Sequence, residues 1–281
     1  MNDRATPRWS LILSIAAGSV SAAASVVGLL APSLVYGRET EALQLAAAAQ
    51  DWVGLVVACP LVLVLAVRRP VRGSTPHLVW LGGLAFLAYN AAIYCTAVRF
   101  GPLFVPWVAV LGTAVWAFVG GWVEHGRALV RRRALGWATV VVAAVFGGLW
   151  LTEIVGDLAA GRGSTSAGTW DVPTNPVHVL DLALFLPAAA ASGVLLLRGR
   201  PVGHVAAPVA VVWMALTCVP IVVTPVVATV WGVTAPWAVV PPVGGLLLVL
   251  CLLGVRAVRP GRHDGGTTEA GDTADRDELV S

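Results

Sequence analysis

Apolar residues in this chain run in long unbroken blocks, and charged residues mark where the blocks end. About 20 consecutive apolar residues cross the hydrocarbon core of a bilayer as one helix. Read on that basis, the sequence predicts eight spans. The first four run from Trp9 to Ala31, from about Ala48 to Val67, from Leu78 to Val98 and from Leu103 to Val123. The fifth covers Ala134 to Thr152, and the sixth covers Val177 to Leu197. The stretch from Val205 to Val255 carries no charge and is too long for one helix. A break near Gly232 and Pro236 divides it into the seventh and eighth spans. The expected fold class is all-α: an eight-span transmembrane helix bundle over 1–259, followed by a Gly-, Asp- and Thr-rich tail over 260–281. That tail has too little apolar content to fold and is expected to be disordered and cytoplasmic.

Arginine placement orients the bundle. The chain has eighteen arginines and no lysine, and with this span count fifteen arginines fall on one side. Arg38, Arg99 and Arg162 are the three on the other. Cytoplasmic loops carry the excess of basic residues, so both termini are expected in the cytoplasm. The loops at Arg68–Pro76, Glu124–Arg133 and Arg198–Gly203 are expected there too. Two alternatives were weighed. Ala22-Ala23-Ala24 resembles a signal-peptidase site, but the apolar run continues to Ala31, longer than a signal h-region. The proline-rich final pair (Pro208, Pro220, Pro225, Pro236, Pro241, Pro242) also admits a re-entrant segment.

Composition agrees with a membrane protein. Hydrophobic residues make up 58% of the chain and charged residues 12%, with a mean hydropathy of +0.83. A soluble domain carries about 25% charged residues, so this one would lack polar surface to cover itself. The basic balance reflects topology and contact with anionic lipid heads, and no nucleic-acid partner is expected. The bilayer is the expected partner. Cys59, Cys95, Cys218 and Cys251 lie inside spans without a C-x-x-C pair and read as small apolar residues. Ser14, Gly18 and Ala22, with Ser21 and Ser25, give the first span small-x-x-x-small spacing suited to close helix packing.

An internal repeat is visible. Asp51 precedes Arg68 by the same spacing as Asp181 precedes Arg198, and each span holds one proline, Pro60 or Pro187. Each is followed by related text, Arg69-Pro70-Val71 and Arg200-Pro201-Val202. Four spans plus four would be a parallel duplication of 9–123 and 134–255, related by an axis along the membrane normal. Chance similarity among Ala/Val/Leu helices is the alternative. If the repeat holds, Asp51 and Asp181 are expected to face each other across one central cavity.

Polar residues at membrane depth mark the candidate chemistry, and they gather in the outer half. Asn175-Pro176 is a good helix start, since Asn caps and proline suits the first position. His178 and Asp181 then share one helical face, as do Asn90 and Tyr94. Gln50 and Asp51 lie near the outer end of the second span and Glu153 near that of the fifth. Ionisable groups at depth usually face a partner or a wet cavity. Asp181, His178, Glu153 and Asp51 are therefore the candidates for acid/base roles, and Asn90, Tyr94, Gln50 and Asn175 for ligand contact. The blander reading makes Asp51 and Glu153 solvated helix ends, Asn90 an interhelical hydrogen-bonder and His178–Asp181 a structural pair. His77, His125, His204 and His263 read as inner loop or interface residues. Trp80, Trp107, Trp122, Trp137 and Trp237 read as an aromatic belt.

Several chemistries are set aside. Without lysine no side-chain Schiff base can form, and the chain has no P-loop, Rossmann glycine pattern or nucleophile elbow. No cofactor is expected. His178, Asp181, Asp51 and Glu153 could together hold a divalent ion, but H-x-x-D is a weak pattern, and no metal site is expected.

Six strings carry a family resemblance: Tyr36-Gly37-Arg38-Glu39-Thr40, Gln50-Asp51, Tyr89-Asn90 with Tyr94, Phe100-Gly101-Pro102-Leu103-Phe104, Glu153-Ile154, and Pro173 through Asp181. They resemble a family of bacterial polytopic membrane proteins with no assigned activity. The resemblance covers nearly the whole chain and implies the inner membrane of a bacterial cell, but no reaction.

Three function classes follow. The chain binds a small or lipidic ligand in an outward-facing polar pocket, or catalyses acid/base chemistry on a lipid or isoprenoid, or transports a solute. A pocket closed toward the inner side favours the first two, and a continuous polar track favours transport. The topology is testable with single cysteines in a cysteine-free variant. A cysteine at Arg131 should resist an impermeant thiol reagent in intact cells, and labelling there would sink the eight-span orientation.

Overall fold

The structure, a computed structural model, describes residues 5–123 and 132–258. Eight helices in it are long and apolar enough to cross a membrane. They run Arg8–Leu30, Glu41–Arg68, Thr75–Ala97, Phe104–Gly121, Arg133–Ala159, Pro176–Leu197, Gly203–Trp231 and Trp237–Arg256. The chain is a multi-pass membrane protein of all-α class. The expected tail over 260–281, with His263, and the loop residues His125, Arg127 and Arg131 lie outside the described residues.

Two helices extend past their apolar blocks. The second begins at Glu41, where the Thr40 hydroxyl accepts from the Leu43 amide at 3.3 Å. Glu, Gln, Ala and Leu are strong helix formers, so the backbone stays helical after hydropathy has fallen. The fifth likewise runs to Ala159 instead of Thr152. Asp51 and Glu153 are therefore helix-interior residues and not helix ends. The seventh helix stops at Gly232, whose φ of 72° is the left-handed conformation glycine adopts without strain. Pro241 and Pro242 fall in the first turn after the short 3₁₀ segment Trp237–Val239, where a missing N–H costs nothing.

Pro60 and Pro187 each follow a π turn, Gly54–Ala58 and Asp181–Phe185. Proline lacks an N–H and clashes with the carbonyl four residues back. The chain relaxes this by widening one turn, so that Cys59 N donates to Gly54 O and Leu186 N to Asp181 O. These turns and prolines align the second and sixth spans three residues away from the arginine-based register. In the proline register His178, not Asp181, stands opposite Asp51.

Within each half the helices form a ring in chain order, and the third and seventh helices join the halves. The second helix also packs on the seventh, and the start of the sixth on the third. The first ring closes tightly, first helix on fourth, whereas the fifth and eighth barely touch. Small residues permit close packing: Gly120 fits against Trp9 at this seam, and Gly18 against Leu63 of the second helix. The third helix is the most enclosed and the eighth the least.

The loop between the fifth and sixth helices carries a short helix, Thr165–Trp170, capped by the Ser164 hydroxyl. Two acids of the fifth helix hold its start. Asp157 accepts from Arg162 Nε at 2.6 Å, Thr165 N at 2.7 Å and Thr165 Oγ1 at 2.9 Å. Glu153 Oε1 accepts from Ser166 N at 3.0 Å. The far end is tied to the other half of the bundle. Arg99 bridges Glu39 (Nη1 to Oε2, 3.1 Å) and Asp171 (Nη2 to Oδ2, 2.5 Å), and Thr40 Oγ1 donates to Thr169 O at 2.9 Å. The Asp171 arm is exposed and contributes about 0.2–1 kcal/mol, but the Glu39 side chain is only 2% exposed and loses its cation if Arg99 is removed. Arg99→Ala should therefore lower the melting temperature and speed tryptic cleavage after Arg162. An unchanged cleavage rate would show that the clasp does not hold this loop.

Candidate functional site

Beneath the Thr165–Trp170 helix, between the two halves, lies a cavity of about 400 Å³. Its walls bring together Gln50, Asn90, Tyr94, Asn175, His178 and Asp181. The local sequence explains how the sixth helix reaches it. Asn175 Oδ1 accepts from Val177 N at 2.9 Å, and Pro176 fixes the first turn. One turn later His178 and Asp181 face inward together, both buried.

Asp181 is fully engaged. Tyr89 Oη donates to its Oδ1 at 3.0 Å, and Trp150 Nε1 donates to its Oδ2 at 2.9 Å. The His178 ring lies against Trp150, with centroids 4.7 Å apart, and its Nε2 is 3.9 Å from Glu153 Oε2. Glu153 is not part of the cavity wall; it stands behind His178 and holds the covering helix. Tyr89, Phe185 and Trp213 pack as a mutual aromatic cluster, with centroids 4.8–5.5 Å apart. Toward the loops at 68–74 and 198–203 the bundle interior is mainly apolar, with Leu81, Leu84, Leu196 and Val205 fully buried, although His77, Ser10 and His204 are buried there too. Ser14, Thr139 and Ser192 in that interior donate to carbonyls of their own helices.

Asp51 does not line this cavity, which corrects the expectation that it would share one with Asp181. It sits behind Tyr94, only 2% exposed. Tyr36 Oη donates to its Oδ2 at 2.7 Å, Tyr94 Oη donates to its Oδ1 at 2.9 Å, and Ser25 is within hydrogen-bonding reach. Tyr36, Tyr94 and Trp107 stack beside it. Gly28 faces both Asp51 and the Tyr36 hydroxyl, leaving no room for a side chain. Since the helix begins at Glu41, Asp51 lies about 15 Å along it, too deep for a solvated end.

Asn90 borders both places. It lines the main cavity and also a space of about 10 Å³ shared with Asp51, Ser21 and Ser25. Its carboxamide has no hydrogen-bond partner among the described residues, although the residue is 7% exposed. Gln50 Oε1, His178 Nε2 and Trp213 Nε1 are buried with no hydrogen-bond partner among the described residues, as are Arg72 Nε, Ser74 Oγ, His77 Nε2 and Trp80 Nε1 away from the cavity.

Other readings are corrected. His77 is not a loop residue: it is fully buried, its Nδ1 accepts from Gly73 N at 3.3 Å, and its ring meets Trp80. His204 is also buried. Trp80 and Trp107 belong to the interior, whereas Trp137 and Trp237 are exposed as a belt requires. No group of three His, Cys, Asp or Glu side chains among the described residues is placed to hold a metal ion. Asp51 is held apart in its own cluster, and Asp181 is turned toward Tyr89 and Trp150. The sequence reading missed Tyr89, Trp150 and Trp213 as site residues. Tyr89 adjoins Asn90, and its hydroxyl was the available signal; the two indoles lie inside apolar spans, where no local pattern marks them.

Comparison with protein-family models, with curated proteins and with solved structures returned no match.

The Asp51 cluster has a stability consequence. Asp51→Leu strands the Tyr36 hydroxyl and removes one of two acceptors from Tyr94. An unsatisfied buried donor costs about 1–3 kcal/mol, so the variant should melt clearly below wild type in detergent. Adding Tyr36→Phe should recover part of that loss, and strictly additive losses would argue against direct coupling.

Proposed function

We propose that this protein binds a small, largely apolar ligand in the cavity between its halves, with the cavity facing the outer side of a bacterial inner membrane and both termini in the cytoplasm. The observation that carries this reading is a mainly apolar wall that gathers Gln50, His178 and Trp213, each with a buried polar atom lacking a hydrogen-bond partner among the described residues, beside the unpaired amide of Asn90. Buried polar groups are nearly always hydrogen-bonded, and an apolar cavity with a few convergent polar groups is the usual form of a ligand site. The arginine asymmetry supports the orientation. The mainly apolar interior toward the inner loops favours binding over transport. The matching neighbour order of the two rings supports a parallel duplication of 9–123 and 134–255.

A second reading, acid/base catalysis on the bound molecule, is favoured by His178, which meets the cavity on one side and Glu153 on the other. Asp181 would then position the aromatic frame around the histidine, and Asp51 would have no part in the chemistry.

The binding reading is tested by Asn90→Leu. An unpartnered buried amide lowers stability, so its apolar isostere should melt at or above the wild-type temperature. Native mass spectrometry of the purified protein should find a small amphipathic molecule on wild type and little on the variant. A variant that melts lower and still carries the molecule would return Asn90 to a structural role. A wild-type protein that carries nothing under mild extraction would count against the site.

A further inference from the structure

Resting on that reading of the cavity, we infer the chemical class of its occupant: an apolar molecule with a neutral oxygen acceptor, such as an alcohol, ketone or quinone, and not a phosphorylated lipid. No arginine among the described residues lines the cavity, and the chain has no lysine. Arg99 follows Val98, a wall residue, but its guanidinium is committed to Glu39 and Asp171. Any positive charge on His178 is already faced by Glu153, 3.9 Å away. The carboxyl group on the wall, Asp181, would repel a phosphate. A phosphate here would give up its hydration without gaining a cation, which buried charges require.

The unpartnered groups specify what the site does want. Trp213 is 5% exposed, and its indole nitrogen only donates. No acceptor among the described residues reaches it. His178 Nε2 also has no hydrogen-bond partner among those residues. The indole nitrogen itself has almost no accessible surface, so a carbonyl or hydroxyl oxygen on the ligand satisfies its N–H, without adding charge, once it has displaced neighbouring wall side chains. Phe146, Trp150, Trp170 and Ile93 supply apolar and aromatic wall for the rest of the molecule.

Farnesol and farnesyl phosphate share one chain and differ at this point alone, so they make a direct test. The full-length protein in phosphatidylcholine nanodiscs should bind farnesol at least about tenfold more tightly than farnesyl phosphate. Trp213→Phe keeps the aromatic packing and removes the N–H, and it should weaken farnesol binding about three- to tenfold. Equal or tighter binding of the phosphate overturns the inference while leaving the cavity a ligand site. Unchanged farnesol affinity in Trp213→Phe overturns the role of the indole. If neither probe binds, the head group of any molecule co-purified with wild type decides: a neutral oxygen supports the inference and a phosphate ends it. If nothing co-purifies either, the ligand site itself falls, and the inference with it.

Discussion

Two buried carboxyl groups are satisfied by hydroxyls from a single helix, and the rest of the interior is arranged around that constraint. Tyr89 reaches Asp181 in the second half of the chain, and Tyr94 reaches Asp51 in the first. Both acids lie where an unpartnered ionisable group is expensive. The third helix must therefore sit between the second and sixth, and it is the most enclosed of the eight. Asn90, set between the two tyrosines, is left facing space on either side. The cavity exists because this helix is positioned by its hydrogen bonds rather than by filling every contact around it.

The aromatic residues extend the same logic. Trp150 gives its N–H to Asp181 and its face to His178, so one side chain fixes both the acid and the histidine. Phe185, Tyr89 and Trp213 lock together around Asp181. The π turn that starts at Asp181 belongs to this arrangement, since Pro187 forbids the regular hydrogen bond and shifts the preceding turn outward. Asp51 is treated differently: its π turn begins three residues later, and its carboxyl is walled in by Tyr36, Tyr94 and Gly28. Two similar helices thus carry acids with different fates, one beside a cavity and one inside the packing.

The eight spans and most of their ends were legible because hydropathy records what a bilayer requires. The convergence of His178, Asp181, Asn90 and Tyr94 was legible for a related reason: helical spacing places pairs on one face, and depth counting brings the pairs level. The separation of Asp51 was not legible. It depends on the second helix starting at Glu41, in a stretch of weak hydropathy but strong helix propensity, and on Tyr36 in the preceding connection folding back over it. The matched spacing to Arg68 and Arg198 differs by three residues from the spacing of the prolines and π turns, because those arginines respond to the membrane surface while the prolines set the helix geometry. The clasp of Arg99 on Glu39 and Asp171 joins residues far apart in the chain, and no local pattern announces it.

The bond between Tyr89 and Asp181 spans 92 residues of sequence, which orders events during synthesis. A ribosome adding ~5–20 residues per second makes the first four spans several seconds before the sixth is complete. Through that interval the first half has its own acid satisfied by Tyr36 and Tyr94, while the Tyr89 hydroxyl lacks the acceptor that the second half will supply. The nascent four-helix unit therefore enters the bilayer with one polar face turned outward, held for the helices that follow. The late-arriving half docks on a face that lipid covers poorly, so its insertion is guided by unmet hydrogen bonds as well as by apolar surface.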